Sequence, residues 1–107
     1  MVGESIYDLY QRGLSLLNSR NPAQAAVVLE RARRREPGRT SIREALGRAY
    51  YNSGRYRRAA DEFLAVLDLY PANDYAHYCL ARCAEKLGDE TLSRKHYRLA
   101  EAMGYGK

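Results

Sequence analysis

The feature that most constrains this chain is a recurrence at a step of 34 residues. When the sequence is shifted by that step, small residues align with small residues and large apolar residues with large apolar ones. The aligned sets are Gly13, Gly47 and Ala81; Ala25, Ala59 and Ser93; Leu29, Phe63 and Tyr97; and Ala32, Val66 and Ala100. A unit this short cannot bury its apolar face alone, so neighbouring units have to pack together. The recurrence therefore predicts one domain, residues 1–107, built from the repeats 6–39, 40–73 and 74–107.

Each repeat has the apolar spacing of two helices. Apolar residues recur at steps of three and four, which is the period of an amphipathic α-helix. Gly54 can adopt the left-handed conformation that ends a helix. Ser41 and Glu44 have the spacing of a capping box, and Asn21 is placed to cap a helix that starts at Pro22. Helices are expected at 5–18, 22–35, 40–53, 56–69, 74–87 and 90–103.

The middle repeat carries a recognisable family pattern: Leu46, Gly47, Tyr50, Gly54, Tyr56, Ala59, Phe63, Val66, Leu69 and Pro71. With these residues the chain resembles the tetratricopeptide-repeat family over all three repeats. The sequence departs from the family at Leu9, Arg43 and His77, where a large aromatic is usual, and at Tyr105, where a proline is usual. The resemblance implies an all-α fold in which three stacked antiparallel helix-turn-helix hairpins form a right-handed superhelical solenoid. The first helix of each hairpin would line a concave groove.

By the same resemblance, the groove would bind an extended peptide segment of a partner protein. Tyrosine is enriched in such sites because it combines apolar area with a hydroxyl group at low entropic cost. The alternative for each side chain is packing against a neighbouring repeat. The expected peptide-binding residues are Tyr7, Tyr10, Gln11, Leu14, Leu17, Asn18, Glu44, Arg48, Tyr51, Asn52, Tyr75, Tyr78 and Arg82.

The residues that carry the best-defined binding mode of the family are absent from this sequence. Members that bind heat-shock chaperones clamp a terminal carboxylate with lysine, asparagine and arginine side chains. The matching positions here are Tyr10, Leu14, Ala45, Tyr75 and Cys79. None of these side chains carries a positive charge. The sequence therefore predicts a scaffold for an apolar or proline-containing segment, without a carboxylate clamp.

Arginines concentrate in the middle of the chain. The net charge is +5, yet residues 31–58 contain ten arginines and two glutamates. Eight of the arginines form a second candidate, a basic docking surface for an acidic protein or RNA: Arg31, Arg33, Arg34, Arg35, Arg39, Arg55, Arg57 and Arg58. Nucleic acid is the less favoured ligand because no aromatic residues interleave with the run. Arginines at the end of a helix also simply stabilise its dipole.

The sequence offers no pattern typical of an enzyme. It has no glycine-rich phosphate loop and no set of nucleophile, base and orienting residue. Cys79 and Cys83 share a helical face near His77, but their spacing is not that of a structural zinc site, and buried apolar packing is the favoured interpretation. We predict neither catalytic residues nor a metal or cofactor.

The remaining expectations concern location and assembly. The chain begins without the basic and apolar segments of a signal peptide, and its longest apolar runs are far too short to span a bilayer. With two cysteines, it is expected to be cytoplasmic. The last hairpin has no further helix to cover Leu92, Tyr97 and Leu99, so self-association through this end is a third possible role.

Overall fold

A computed structural model describes residues 3–106 of the protein, and within them the regular structure consists of six α-helices. Each helix lies within one residue of the predicted bounds. The helices are α1 (Ile6–Asn18), α2 (Pro22–Arg35), α3 (Thr40–Asn52), α4 (Tyr56–Leu69), α5 (Asp74–Lys86) and α6 (Glu90–Ala102). The all-α prediction is confirmed.

The six helices form three hairpins that stack in chain order. Helices α1 and α2 pair, as do α3 with α4 and α5 with α6, and the hairpins meet where α2 packs on α3 and α4 on α5. The stack measures 50 × 25 × 23 Å along its principal axes. One buried apolar cluster runs through all three hairpins, from Leu17 in α1 to Cys83 in α5. The elongated shape and shared core confirm the predicted stack.

The glycines of the repeat let the two helices of a hairpin come close together. A Cβ atom on Gly13 would lie 2.5 Å from Leu29, and one on Gly47 would lie 2.6 Å from Phe63. Both distances are shorter than any van der Waals contact, so the large side chain occupies the space that glycine leaves. In the third repeat the small residue is Ala81, and the facing Tyr97 is only half-buried. The small residue thus leaves room for the large one in the first two repeats.

The capping box predicted at Ser41 and Glu44 is wrong. Helix α3 starts at Thr40, so Ser41 lies inside the first turn, and the N-cap residue Arg39 makes no side-chain cap. A hydroxyl inside the helix cannot reach the free N–H groups in the way that an N-cap hydroxyl does. Glu44 instead accepts a hydrogen bond from the amide of Asn73 at 3.1 Å.

The cap predicted at Asn21 is also absent, although Pro22 begins α2 as expected. Asn21 has φ −117° and ψ 62°, outside the extended region typical of a capping residue, and its amide donates to the carbonyl of Ser19. A full capping box occurs at α1, where Ser5 and Asp8 each accept a hydrogen bond from the backbone N–H of the other. At the end of α3, Gly54 adopts φ 81° as predicted.

A buried carboxylate joins the first two repeats. Glu62 of α4 is 4% exposed and accepts hydrogen bonds from Arg33 of α2 and from Arg43 of α3, the latter at 3.1 Å. A carboxylate removed from water is costly unless it is both paired and hydrogen-bonded, and the two guanidinium groups meet both conditions. The three residues therefore tie helices of different repeats together.

Two histidines stack at the seam between α5 and α6. The rings of His77 and His96 are both buried, with centroids 5.1 Å apart and planes inclined by 20°. Nε2 of His77 lies 2.8 Å from the carbonyl oxygen of Pro71, and Nδ1 of His77 lies 2.8 Å from Nδ1 of His96. A carbonyl can only accept, so His77 donates from Nε2 and its Nδ1 accepts from His96. His77 thus links α5 to α6 and to the turn that precedes α5.

This pair should make stability fall in acid. Burial lowers the pKa of His96, and the neighbouring His77 and Lys95 act in the same direction. The unfolded chain takes up the proton near pH 6.5, whereas the folded chain resists it. The stability that neutral His96 contributes is thus complete above about pH 6.5 and is lost as the pH falls through the folded pKa. We expect melting temperatures followed by circular dichroism to decrease from pH 7 to pH 5.

One histidine contributes a slope of at most about 1.4 kcal/mol per pH unit to the free energy of unfolding. The variant His96→Gln keeps an amide that can donate to His77 but does not titrate, so its pH dependence should be shallower. Equal slopes for the variant and the parent chain would show that the histidine pair is not the source.

Candidate functional site

A cavity of about 280 Å³ lies between the second and third repeats. It is formed by α3, α4, α5 and the turn that follows α6. Six of the residues expected in the groove come together in it, and three further residues complete the wall. The lining residues are Arg48, Tyr51, Asn52, Phe63, Tyr75, Tyr78, Cys79, Arg82 and Tyr105.

The repeat itself explains why these side chains meet. Arg48 and Arg82 are 34 residues apart and so occupy the same position of α3 and α5. Because the first helices of successive hairpins lie side by side, equivalent positions point to the same face of the stack. Leu14 occupies this position in α1. The face is therefore apolar in the first repeat and positively charged in the second and third.

Aromatic rings build one side of the cavity. The ring of Tyr78 stacks on that of Tyr105 with centroids 4.4 Å apart, and Tyr105 also lies 6.2 Å from Tyr75. Phe63, which is buried, contacts Tyr75 edge to face at 6.3 Å. Contacts of this kind hold each ring in a defined orientation. This side of the cavity is thus held in place by ring packing.

Arg82 is held between two of these rings. Its guanidinium carbon lies 4.8 Å from the centre of the Tyr51 ring and 5.9 Å from that of Tyr78. A guanidinium group over an aromatic face is attracted by the ring quadrupole. Tyr51 is in turn supported by Tyr56, whose ring meets it edge to face at 5.2 Å. The position of this charge is therefore set by packing.

The residues expected on α1 lie outside the cavity. Tyr7 is 69% exposed, and Gln11 and Asn18 are exposed as well. Tyr10 and Leu14 are half-buried and pack against the core. On the surface of the first repeat, Tyr7 is thus the most accessible aromatic side chain of the predicted groove.

The assignment of Leu17 to the groove is wrong. Leu17 is 8% exposed and belongs to the main apolar cluster, so it offers no surface to a ligand. It occupies the position of Tyr51 in α3 and Glu85 in α5, and position alone does not reveal which of the three side chains turns inward. Glu44 is half-buried and accepts a hydrogen bond from the amide of Asn73.

Three lining residues escaped prediction from the sequence: Phe63, Cys79 and Tyr105. Phe63 is buried in the core and also lines the cavity. Tyr105 lies between Gly104 and Gly106, which have φ values of 97° and 84°. These left-handed residues turn the chain back toward α5. The Gly-Tyr-Gly sequence was the available signal.

Both cysteines are buried thiols. Burial raises the pKa of Cys79 to about 11 and that of Cys83 to about 12. A thiolate is the nucleophilic and metal-binding form, and very little of it is present near neutral pH at such values. Within residues 3–106, no group of three or more His, Cys, Asp or Glu side chains is placed to hold a metal ion.

The eight arginines of the second candidate do not form one free positive surface. Arg33 is bonded to Glu62, Arg39 pairs with Glu36, and both Arg31 and Arg35 contact Glu4. Arg58 lies over the ring of Tyr50, 5.9 Å from its centre. Arg34, Arg55 and Arg57 are exposed. About half of the run is thus engaged within the chain, and electrostatic docking on the rest stays a prediction.

The end of the stack is only partly apolar. Leu92, Tyr97 and Leu99 are half-buried. Tyr97 packs edge to face on Tyr78 at 5.8 Å, and its hydroxyl donates to Glu85 at 3.2 Å. Burial, with the help of this hydrogen bond, raises the pKa of Tyr97 to about 12. Self-association through this hairpin stays a prediction.

A search of the described residues for long apolar helices, of the kind needed to cross a membrane, finds none. In a comparison with curated protein sequences, no significant match was found. A family model described as tetratricopeptide repeat matches residues 10–74 and, in a second overlapping match, residues 44–105.

Several solved structures share the fold. MamA MSR-1 superposes with a TM-score of 0.86 at 25% identity, over 92% of this chain and 57% of that chain. MamA from Desulfovibrio magneticus RS-1 superposes with a TM-score of 0.88 at 20% identity, over 94% of this chain and 56% of that chain. A chain of the CopN-Scc3 complex superposes with a TM-score of 0.89 at 18% identity, over 100% of this chain and 63% of that chain. The protein thus spans somewhat more than half the length of these neighbours.

Proposed function

Because the chain belongs to the tetratricopeptide-repeat family, we propose that it is a scaffold that binds an extended segment of a partner protein in its concave groove. The family match supports protein binding rather than catalysis. One structural neighbour, the CopN-Scc3 complex, is itself an assembly of proteins, which supports the same class of partner. The contact is centred on the cavity between α3 and α5.

The observation that carries this proposal is the concentration of tyrosines at one concave site. Tyr51, Tyr75, Tyr78 and Tyr105 line a single cavity. Tyr105 packs on Tyr75 and Tyr78, and Tyr51 packs on Tyr56, so a ligand can bury apolar surface on these rings at little cost in side-chain entropy. Most of the area needed for recognition is therefore in place before binding.

The cavity suits an extended segment with an apolar or proline side chain. Proline-rich segments dock into aromatic-lined grooves because their backbone is already extended. Asn52 lines the same cavity and is exposed, so its amide can donate to and accept from a peptide backbone. Ring stacking would thus select the side chain while Asn52 holds the main chain.

We expect Tyr51→Ala to weaken binding about tenfold or more, which is the range of a central aromatic contact. The substitution removes a cavity wall and the support for Arg82. The measurement is fluorescence anisotropy with a library of N-acetylated, C-amidated nonapeptides that contain proline and leucine. Affinity for the best pool would be compared between the parent chain and the variant.

The matched control is Tyr70→Ala. Tyr70 follows α4, is 57% exposed and lies outside the cavity, so its loss should leave the affinity unchanged. Circular dichroism should show equal helix content for both variants. If no pool binds the parent chain, or if the two variants bind equally well, the groove is not the binding site.

A further inference from the structure

The cavity carries positive charge without a partner of its own. Arg48 and Arg82 both line it and are both exposed, and within residues 3–106 neither forms an ion pair. Several arginines elsewhere are paired with a carboxylate, as Arg33 and Arg43 are with Glu62. We propose that the segment bound in the groove carries an aspartate or glutamate whose carboxylate lies between Arg48 and Arg82. This inference rests on the proposed function and specifies its ligand.

The hydrogen-bond donors of Arg82 remain available for such a contact. Tyr51 and Tyr78 lie within cation–π distance of the guanidinium group. Arginine has five N–H donors, so its contacts with the two tyrosines, including a hydrogen bond with Tyr51, leave donors for a ligand. Two parallel N–H groups match the two oxygens of a carboxylate, and such charge-assisted pairs are stronger than neutral ones. The tyrosines thus fix the position of the guanidinium group and leave part of its donors for a ligand.

The charge around the cavity fits one negative charge better than two. Glu44 is on the same side of the stack as Arg48 and Arg82, and it remains half-buried through its bond to Asn73. Tyr75 and Cys79 are neutral at pH 7, because burial raises the pKa of each. The charged residues of the lining are Arg48 and Arg82, and the nearby Glu44 and Asp74 offset part of their positive charge. The remainder complements the single charge of a carboxylate better than the double charge of a phosphate group.

The first repeat indicates how the bound segment is oriented along the groove. Leu14 stands where Arg48 and Arg82 stand in the other repeats, and the exposed Tyr7 lies on the same helix. The face therefore changes from apolar at α1 to basic at α3 and α5. The matching segment has its apolar residues against α1 and its acidic residue between α3 and α5.

The test uses four sets of blocked nonapeptides that share proline and leucine positions and differ at one site. That site holds glutamate, glutamine, phosphoserine or arginine. Blocked ends remove terminal carboxylates, so any preference belongs to the side chain. We expect the glutamate set to bind the parent chain about 10- to 100-fold more tightly than the glutamine set, the range of a hydrogen-bonded charge pair. The preference should weaken as salt increases.

The variant Arg82→Gln should lose this preference, so that it binds the glutamate and glutamine sets with nearly equal affinity. Arg98→Gln removes the same charge from an exposed position of α6 outside the cavity, and it should behave like the parent chain. The proposal is overturned if glutamate and glutamine bind equally, if phosphoserine binds best, or if Arg98→Gln has the same effect. If none of the four sets binds the parent chain, the proposed groove function itself fails.

Discussion

The substitution Glu62→Ala should lower the free energy of unfolding by about 3 kcal/mol. It removes the one carboxylate that Arg33 and Arg43 share, and both guanidinium groups would keep their charge in a partly buried site. Breaking a buried pair from one side costs about 3–5 kcal/mol, because the remaining charge is left unpaired. The lower end applies here, since the Arg33 and Arg43 side chains retain 28% and 20% exposure and can recover some hydration.

That loss is a large part of the stability of a domain of this size, which is about 5–15 kcal/mol. Because Arg33 belongs to the first repeat and Glu62 to the second, the damage should be greatest at their junction. Urea unfolding measures the total loss. Hydrogen exchange should show protection falling more in α2 and α3 than in α6.

The matched control is Asp68→Asn, an exposed position on the same helix. Its effect should stay within about 0.5 kcal/mol, as for most surface changes. Glu62→Gln keeps the shape of the side chain and one acceptor oxygen, and it should fall between the two. If Glu62→Ala is no more harmful than Asp68→Asn, the two arginines do not depend on this carboxylate.

Most of the fold could be predicted from the sequence because its signals are local and repeated. Helix bounds follow from the period of the apolar residues. Gly13 and Gly47 indicate where the two helices of a hairpin come close together. The caps were harder, since a helix that starts at Thr40 and not at Ile42 places Ser41 in the first turn and not at the N-cap. The family resemblance then supplied the order in which the hairpins stack.

The candidate site was predictable only in part. A position in the repeat assigns a side chain to a face, and it did so for Arg48 and Arg82. It does not show how far the side chain turns inward, and so Leu17 was misplaced. Nor does it describe contacts outside the repeat pattern: the stacking of Tyr105 on Tyr78 depends on a turn after the last helix.

The second large effect is expected at Phe63, the residue that joins the core to the candidate site. Phe63 is 1% exposed, and its ring fills the space left by Gly47. The centre of the ring lies 6.3 Å from that of the Tyr75 ring. The substitution Phe63→Ala should lower the free energy of unfolding by about 3–5 kcal/mol, the range for a buried aromatic. It should also enlarge the cavity and free Tyr75, so peptide affinity should fall in whatever fraction remains folded.

A double-mutant cycle separates the close packing from burial alone. Gly47→Ala by itself should cost about 1–3 kcal/mol, because the new methyl group overlaps a ring that has no room to move. In the Phe63→Ala background the same change should cost nothing or stabilise, since the clash is gone and alanine favours the helix by about 1 kcal/mol. Urea unfolding of the four proteins gives the coupling energy.

Tyr97, the counterpart in the third repeat, provides the control. It faces Ala81 and is only half-buried, so Tyr97→Ala should cost about 1–2 kcal/mol, well below the loss at Phe63. Equal losses at the two positions would mean that burial against glycine gives Phe63 no special weight. Additive effects of Gly47→Ala and Phe63→Ala would mean that the two residues do not share the space between α3 and α4. Either result would mean that close packing against Phe63 does not explain the glycine at position 47.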